Sequence, residues 1–182
     1  MKLCVLFPGI GYTIDKPLLY YSREIVRSDY EIKAIVYHGD AQKAKSQKEH
    51  LEQFYQHAYK DVCQQCAAID FQAYEDILFI SKSIGTALAE KYVREHALKV
   101  RSVLFTPLAY TFEGENSQAI AFHGTKDPWV DHAQLMALAK SHHVPMTCIE
   151  GADHSLNTGD LDTDLMNLKK VMDQVKAFID EK

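Results

Sequence analysis

The stretch Asp76-Ile77-Leu78-Phe79-Ile80-Ser81-Lys82-Ser83-Ile84-Gly85-Thr86-Ala87-Leu88-Ala89 decides the reading of the fold. It starts as a short apolar run of strand length and finishes as a run of small residues with helical character. Between the two lies Ser81-Lys82-Ser83-Ile84-Gly85, a near match to Gly-x-Ser-x-Gly. That is the composition of a strand that reverses sharply into a helix and leaves a serine hydroxyl exposed at the bend. Such a turn tolerates little bulk two positions before or after the serine, where strand and helix approach each other. Gly85 meets that demand fully. Ser81 stands where glycine is usual and meets it only approximately.

Outward from this stretch, short apolar runs alternate with helical patterns along the whole chain. Strands are expected at Leu3–Phe7, Glu31–Tyr37, Asp76–Ile80, Val100–Phe105, Ala119–His123 and Met146–Glu150. All are short and continuous, as parallel strands covered on both faces are. Helices are expected at about Asp15–Val26, with Asp15 as cap and Pro17 in the first turn, and at Gln47–Ile69, with Leu51, Phe54, Tyr55, Ala58, Val62, Cys66 and Ile69 on one stripe. Others follow at Ser83–Glu95, Asp131–Ser141 and Thr163–Ile179, the last turning Leu165, Leu168, Val171, Met172, Val175 and Phe178 inward. This alternation predicts an α/β fold with three layers, a doubly wound, six-stranded parallel sheet between helices, and right-handed crossovers that leave the strands' carboxyl ends on one edge.

The 182 residues suit a single domain spanning 1–182. A net charge of -5 with both signs mixed along the chain argues against a nucleic-acid or membrane-surface partner. No run approaches the roughly 20 apolar residues of a membrane span, and Pro8-Gly9 cuts the first apolar run too short for a secretory signal. The four cysteines fall at positions expected to be buried, which with the absent signal predicts reduced thiols and a cytoplasmic protein. Lys43, Lys45 and Lys48 read as a solvated approach to a helix.

Ligands of such a sheet bind beyond the carboxyl ends of its strands, and the reactive residue types gather there. Ser83 follows the third strand, Asp127 in His123-Gly124-Thr125-Lys126-Asp127 follows the fifth, and His154 in Gly151-Ala152-Asp153-His154 follows the sixth. Their order is Ser, Asp, His. His154 would take a proton from Ser83 as it attacks a carbonyl, and Asp127 would hold the imidazole in the useful tautomer. The oxyanion would be met by the backbone amides of Ile84 and Ile10. Gly11, Tyr12, Pro107 and Trp129 are the candidate substrate contacts.

Together, the Pro-Gly loop after the first strand, the serine turn and the Gly-x-x-Asp and Gly-x-x-His segments resemble the α/β-hydrolase superfamily. The resemblance is to its small esterase, thioesterase and dienelactone-hydrolase-like members, and it covers nearly the whole chain. It implies the local strand order 2-1-3-4-5-6 and no cofactor or metal. The implied activity is hydrolysis of carboxylic esters or thioesters of modest size through an acyl-enzyme on Ser83. Three features depart from the family pattern: Ser81 for glycine, no counterpart of the two leading strands, and only a modest loop, Thr106 to Gln118, where a cap domain is inserted. The partner expected is a small-molecule ester or thioester, and monomer and homodimer are both compatible with the sequence.

Other readings compete. A non-catalytic α/β-hydrolase-like binding domain would retain the turn without chemistry, and a flavodoxin-like sheet could bind a nucleotide at Gly9-x-Gly11, although Ile14 stands where a third glycine is needed. Ser83 could be an ordinary capping serine, Asp127 an Asp-Pro turn former, and Glu113 an alternative acid. Asp153 should point away from His154 and shape its loop. His38 and His123 end strands on the active edge but lack zinc spacing. Cys63 and Cys66 lie mid-helix, where nothing lowers a thiol pKa, and read as packing.

Overall fold

Side chains alternate between the two faces of a strand, and here each face carries its own core. On β1 (Lys2–Phe7), Leu3, Val5 and Phe7 pack to one side and Cys4 and Leu6 to the other; on β3 (Asp76–Lys82), Ile77 and Phe79 oppose Leu78 and Ile80. The remaining strands are β2 (Glu31–Ala34), β4 (Arg101–Phe105), β5 (Gln118–Gly124) and β6 (Met146–Ile149). All pair in parallel in the order β2-β1-β3-β4-β5-β6. The computed structural model describes residues 1–39 and 48–181, without the side chains of residues 48 and 49. Of the Lys43, Lys45 and Lys48 cluster, the first two lie outside the described residues and Lys48 is described without its side chain.

The helices are α1 (Pro17–Val26), α2 (Lys48–Ala67), α3 (Ile84–His96), α4 (His132–Ser141) and α5 (Leu161–Asp180). The buried stripe Phe54, Ala58, Val62 and Cys66 of α2 joins Ile84, Leu88 and Tyr92 of α3 on the first face, while α1 and α5 cover the second with Leu18, Leu19, Val171, Val175 and Phe178. The layering is the one that the alternation of runs predicts.

Several local expectations are corrected. The N-cap position of α1 belongs to Lys16, which makes no side-chain cap, rather than to Asp15; the freed Leu18 amide instead donates to the Tyr12 hydroxyl at 3.1 Å. β2 stops at Ala34 instead of Tyr37, because α2 takes the chain out of the sheet. Gln65 pairs with both the amide and the carbonyl of Val36 at 3.0 and 2.8 Å, and Asp61 accepts the His38 amide at 2.7 Å. Leu165 is 56% exposed rather than inward, since the first turns of α5 run beyond the core. Cys148 is exposed on the edge strand β6, not buried.

Candidate active site

The turn between β3 and α3 puts Ser83 at φ 57°, ψ -125°, outside the conformations a non-glycine residue ordinarily adopts. What imposes this is close packing around it. A Cβ on Gly85 would stand 2.4 Å from the Phe7 carbonyl oxygen and 2.6 Å from that of Pro8, so only glycine lets α3 start against β1. Ser81 causes no such conflict. Its side chain faces β4, fully buried, and its hydroxyl donates to the Val103 carbonyl at 3.2 Å. The usual glycine is therefore dispensable at this position. Ser83 makes no side-chain cap to α3, which removes the capping-serine reading.

The three distant residues meet. His154 Nε2 lies 2.7 Å from Ser83 Oγ, and His154 Nδ1 lies 2.6 Å from Asp127 Oδ2. Asp127 also serves the turn expected of an Asp-Pro pair, but with its other oxygen: Oδ1 accepts the Trp129 amide at 2.9 Å. The two readings of Asp127 describe the same residue. Asp153, as expected, shapes the loop, accepting the amides of Ser155 and Asn157 at 2.7 and 3.0 Å. Gly124 lets that loop close over β5, since a Cβ there would lie 2.3 Å from the Ala152 carbonyl oxygen.

Electrostatics follow from burial and pairing. Burial is the largest influence on His154 and pushes its pKa below the ordinary 6.5. The hydrogen bond to Asp127 pulls upward, and the charge of Lys82 adds to the lowering. Burial works to raise the Asp127 carboxyl, but the hydrogen bond and charge of His154 and the Trp129 amide outweigh it and leave the pKa below the ordinary 3.8. Both shifts favour a neutral imidazole beside an ionised carboxylate.

The amides of Ile84 and Ile10 donate to no acceptor among the described residues. Ile84 opens α3, where helix N–H groups are unpaired and the dipole favours negative charge. The Ile10 loop is closed on itself by a Gly9–Tyr12 bridge of 3.1 and 3.2 Å, and it lies close against the turn, since a Cβ on Gly9 would be only 3.3 Å from Ser83 Cβ. Ile10, Gly11, Tyr12, Ser83, Trp129 and His154 line a cavity of about 300 Å³. Pro107 does not: it is buried, and the neighbouring Leu108 forms the wall. Glu113 lies away from the triad, at the margin of a second hollow of about 480 Å³ that meets the first at Leu51, Ile84 and Leu108. Among the described residues no group of three His, Cys, Asp or Glu side chains could hold a metal ion.

Two residues escaped the sequence reading. Lys82, beside Ser83, is buried, and His123 is fully buried with neither ring nitrogen hydrogen-bonded among the described residues. Lys82 carried no sequence signal beyond its place in the turn. His123 was visible only as a strand-end histidine.

By sequence, no protein-family model matches the chain, and neither does any curated protein. By structure the matches are many. A Xanthomonas campestris protein assigned to the alpha/beta hydrolase superfamily aligns over 97% of this chain and 96% of its own, with a TM-score of 0.66 at 12% identity. An alpha-beta serine hydrolase homologue from Coxiella burnetii aligns over 96% and 84%, with 0.67 at 12% identity. A serine hydrolase without a lid, also from Xanthomonas campestris, aligns over 98% and 80%, with 0.62 at 10% identity. The chain has the α/β-hydrolase fold. Like that lidless hydrolase, this α/β-hydrolase fold carries no cap between β4 and β5: the connection holds one short turn, Ala109–Phe112, bonded to α3 through Thr111, and a following segment bonded to α3 through Asn116. At such identities the likeness speaks to the fold alone.

Proposed function

We propose that the protein is a serine hydrolase that cleaves carboxylic esters or thioesters of modest size through an acyl-enzyme on Ser83. The observation that carries this is the unbroken relay from Ser83 Oγ to His154 Nε2 at 2.7 Å and from His154 Nδ1 to Asp127 Oδ2 at 2.6 Å. As Ser83 Oγ attacks the carbonyl carbon, its proton passes to His154. The carbonyl π electrons move onto oxygen, which the Ile84 and Ile10 amides receive. Collapse expels the alkoxide or thiolate, which takes the proton from His154. Water then repeats the sequence on the acyl-enzyme, with His154 as base, and releases the acid. One such donor is worth about 3 kcal/mol in the transition state.

Size preference rests on the cavities. The triad opens directly to solvent, and the adjoining hollow, walled by Tyr55, Ala87, Leu108 and Tyr110, receives an acyl group of a few carbons. Among the described residues no cap covers this hollow to enclose a long chain. The test is turnover of p-nitrophenyl acetate, followed by the butyrate to palmitate series. Hydrolysis is expected with short acyl groups, retained in Ser81→Ala and lost in Ser83→Ala. Equal turnover by wild type and Ser83→Ala would refute the reading, and a palmitate optimum would refute the size preference.

A further inference from the structure

Lys82 immediately precedes the nucleophile, yet its side chain is 1% exposed. An ammonium removed from water loses its hydration and is kept there only by specific partners. Lys82 Nζ donates to Thr106 Oγ1 at 2.5 Å and to the backbone carbonyl of His154 at 2.7 Å, and stands 5.0 Å from the centre of the Tyr12 ring. These partners come from three different segments: the end of β4, the loop after β6 and the loop after β1. Thr106 is itself pinned, at φ 44°, by its amide donating to the Phe122 carbonyl at 2.7 Å. The second partner is not an arbitrary carbonyl of the loop. It belongs to the residue whose imidazole must reach Ser83.

We propose that Lys82 is a positioning residue for the triad: anchored on Thr106, its ammonium grips the His154 carbonyl and holds the imidazole in line with Ser83. The proposal deepens the hydrolase reading and rests on it for its catalytic meaning, while its geometric content stands on these contacts alone. Because α3 must begin against β1, the nucleophile is fixed by the turn. The loop that carries His154 is tied to β5 by the Lys126 amide donating to the Ala152 carbonyl at 2.9 Å and shaped by Asp153, and Lys82 adds a hold on the His154 carbonyl from the side of the nucleophile itself. The ammonium also acts on the proton affinity of the ring. The groups facing the imidazole are Asp127 and Asp153, which favour its protonated form, and Lys82, which opposes it. His123 stands behind Asp127, with His132 stacked on it.

The experiment is an NMR titration of the His154 ring, assigned against His154→Gln, in the wild type, Lys82→Met and Lys82→Gln, with the pH profile of ester hydrolysis measured alongside. Met keeps most of the unbranched chain without its charge or donors; Gln keeps a donor without the charge. In Lys82→Met the His154 titration is expected to move to higher pH and its ring resonances to broaden. The acid limb of kcat/KM should rise with it, and kcat should fall about tenfold or more. Lys82→Gln is expected to raise the titration similarly but to lose less kcat. A merely structural lysine would change the melting temperature and leave the ring titration where it is. Coincident His154 titrations in all three proteins would overturn the proposal. Should Lys82→Met not fold, Thr106→Val decides, since it removes one anchor and keeps the shape: shifted His154 ring resonances are expected, and unchanged ones would overturn it. If the folded wild type hydrolyses no ester, the hydrolase reading falls, and the ring titration still decides the role of Lys82.

Discussion

The His154 ring is where residue-scale chemistry is easiest to test. Its pKa lies below 6.5, so the ring stays neutral, and able to take the Ser83 proton, at pH values where an ordinary histidine is half charged. The acid limb of kcat/KM against pH is therefore expected below 6.5, and a limb above that value would contradict the site as described. His123 shares the direction for the same reason, burial, with no hydrogen bond in return among the described residues; its Nδ1 is 3.9 Å from Asp127 Oδ2, beyond hydrogen-bonding reach. A histidine whose folded pKa is depressed binds protons more readily when unfolded. It therefore costs stability as pH falls from its unfolded pKa towards its folded one. His123→Phe keeps an aromatic ring for the stack on His132, at 5.2 Å between centroids, and removes two unsatisfied nitrogens. The variant should unfold at higher denaturant, by about 1 kcal/mol, with the larger gain below pH 6.5; destabilisation at every pH would show that His123 has a partner. The residue types of the triad were legible because each follows a strand at the same edge. The burial of Lys82 and His123 was not, because one polar residue at a strand end reads alike whether the next loop covers it or leaves it in water.

At the scale of elements, the turn between β3 and α3 is set by its second glycine. A Cβ at Gly85 meets backbone oxygens of Phe7 and Pro8, which cannot rotate away as a flexible side chain could. Gly85→Ala is expected to cost about 3 kcal/mol or more in chemical denaturation and to take activity with it, through the displaced Ile84 amide; a variant of wild-type stability would mean that α3 can slide along β1. Gly85 was legible as a steric requirement. Ser81 was misjudged, since the sequence shows a side chain on the turn but not that it faces β4 and finds the Val103 carbonyl. Boundaries set by tertiary partners were equally out of view. β2 stops early because Gln65 and Asp61 of α2 capture the chain, and α1 begins with the Tyr12 hydroxyl as acceptor in place of a capping side chain. Periodicity announces an element; its end is decided by whichever neighbour offers the better hydrogen bond.

For the whole molecule, strand–helix alternation carried both the layers and the edge on which the site lies, because each hydrophobic run can be buried only by covering both faces of a parallel sheet. What holds the far end of the sheet was invisible. Arg101 of β4 donates to Asp76 of β3 at 2.7 Å and to the carbonyls of Phe178 and Ile179 at 2.9 and 3.1 Å, so one side chain ties two central strands to the end of α5. Arg101→Ala should lower unfolding free energy by about 2 kcal/mol with little change in kcat, since it lies opposite the active edge. A loss of activity without a loss of stability would contradict that division. The central claim is that folding delivers one activated hydroxyl, and labelling with a fluorophosphonate followed by peptide mapping tests it most directly. The account predicts a single phosphonylated serine, Ser83, with no label in Ser83→Ala and a much slower reaction in His154→Gln. Modification of another serine, or ester hydrolysis that leaves Ser83 unlabelled, would contradict it.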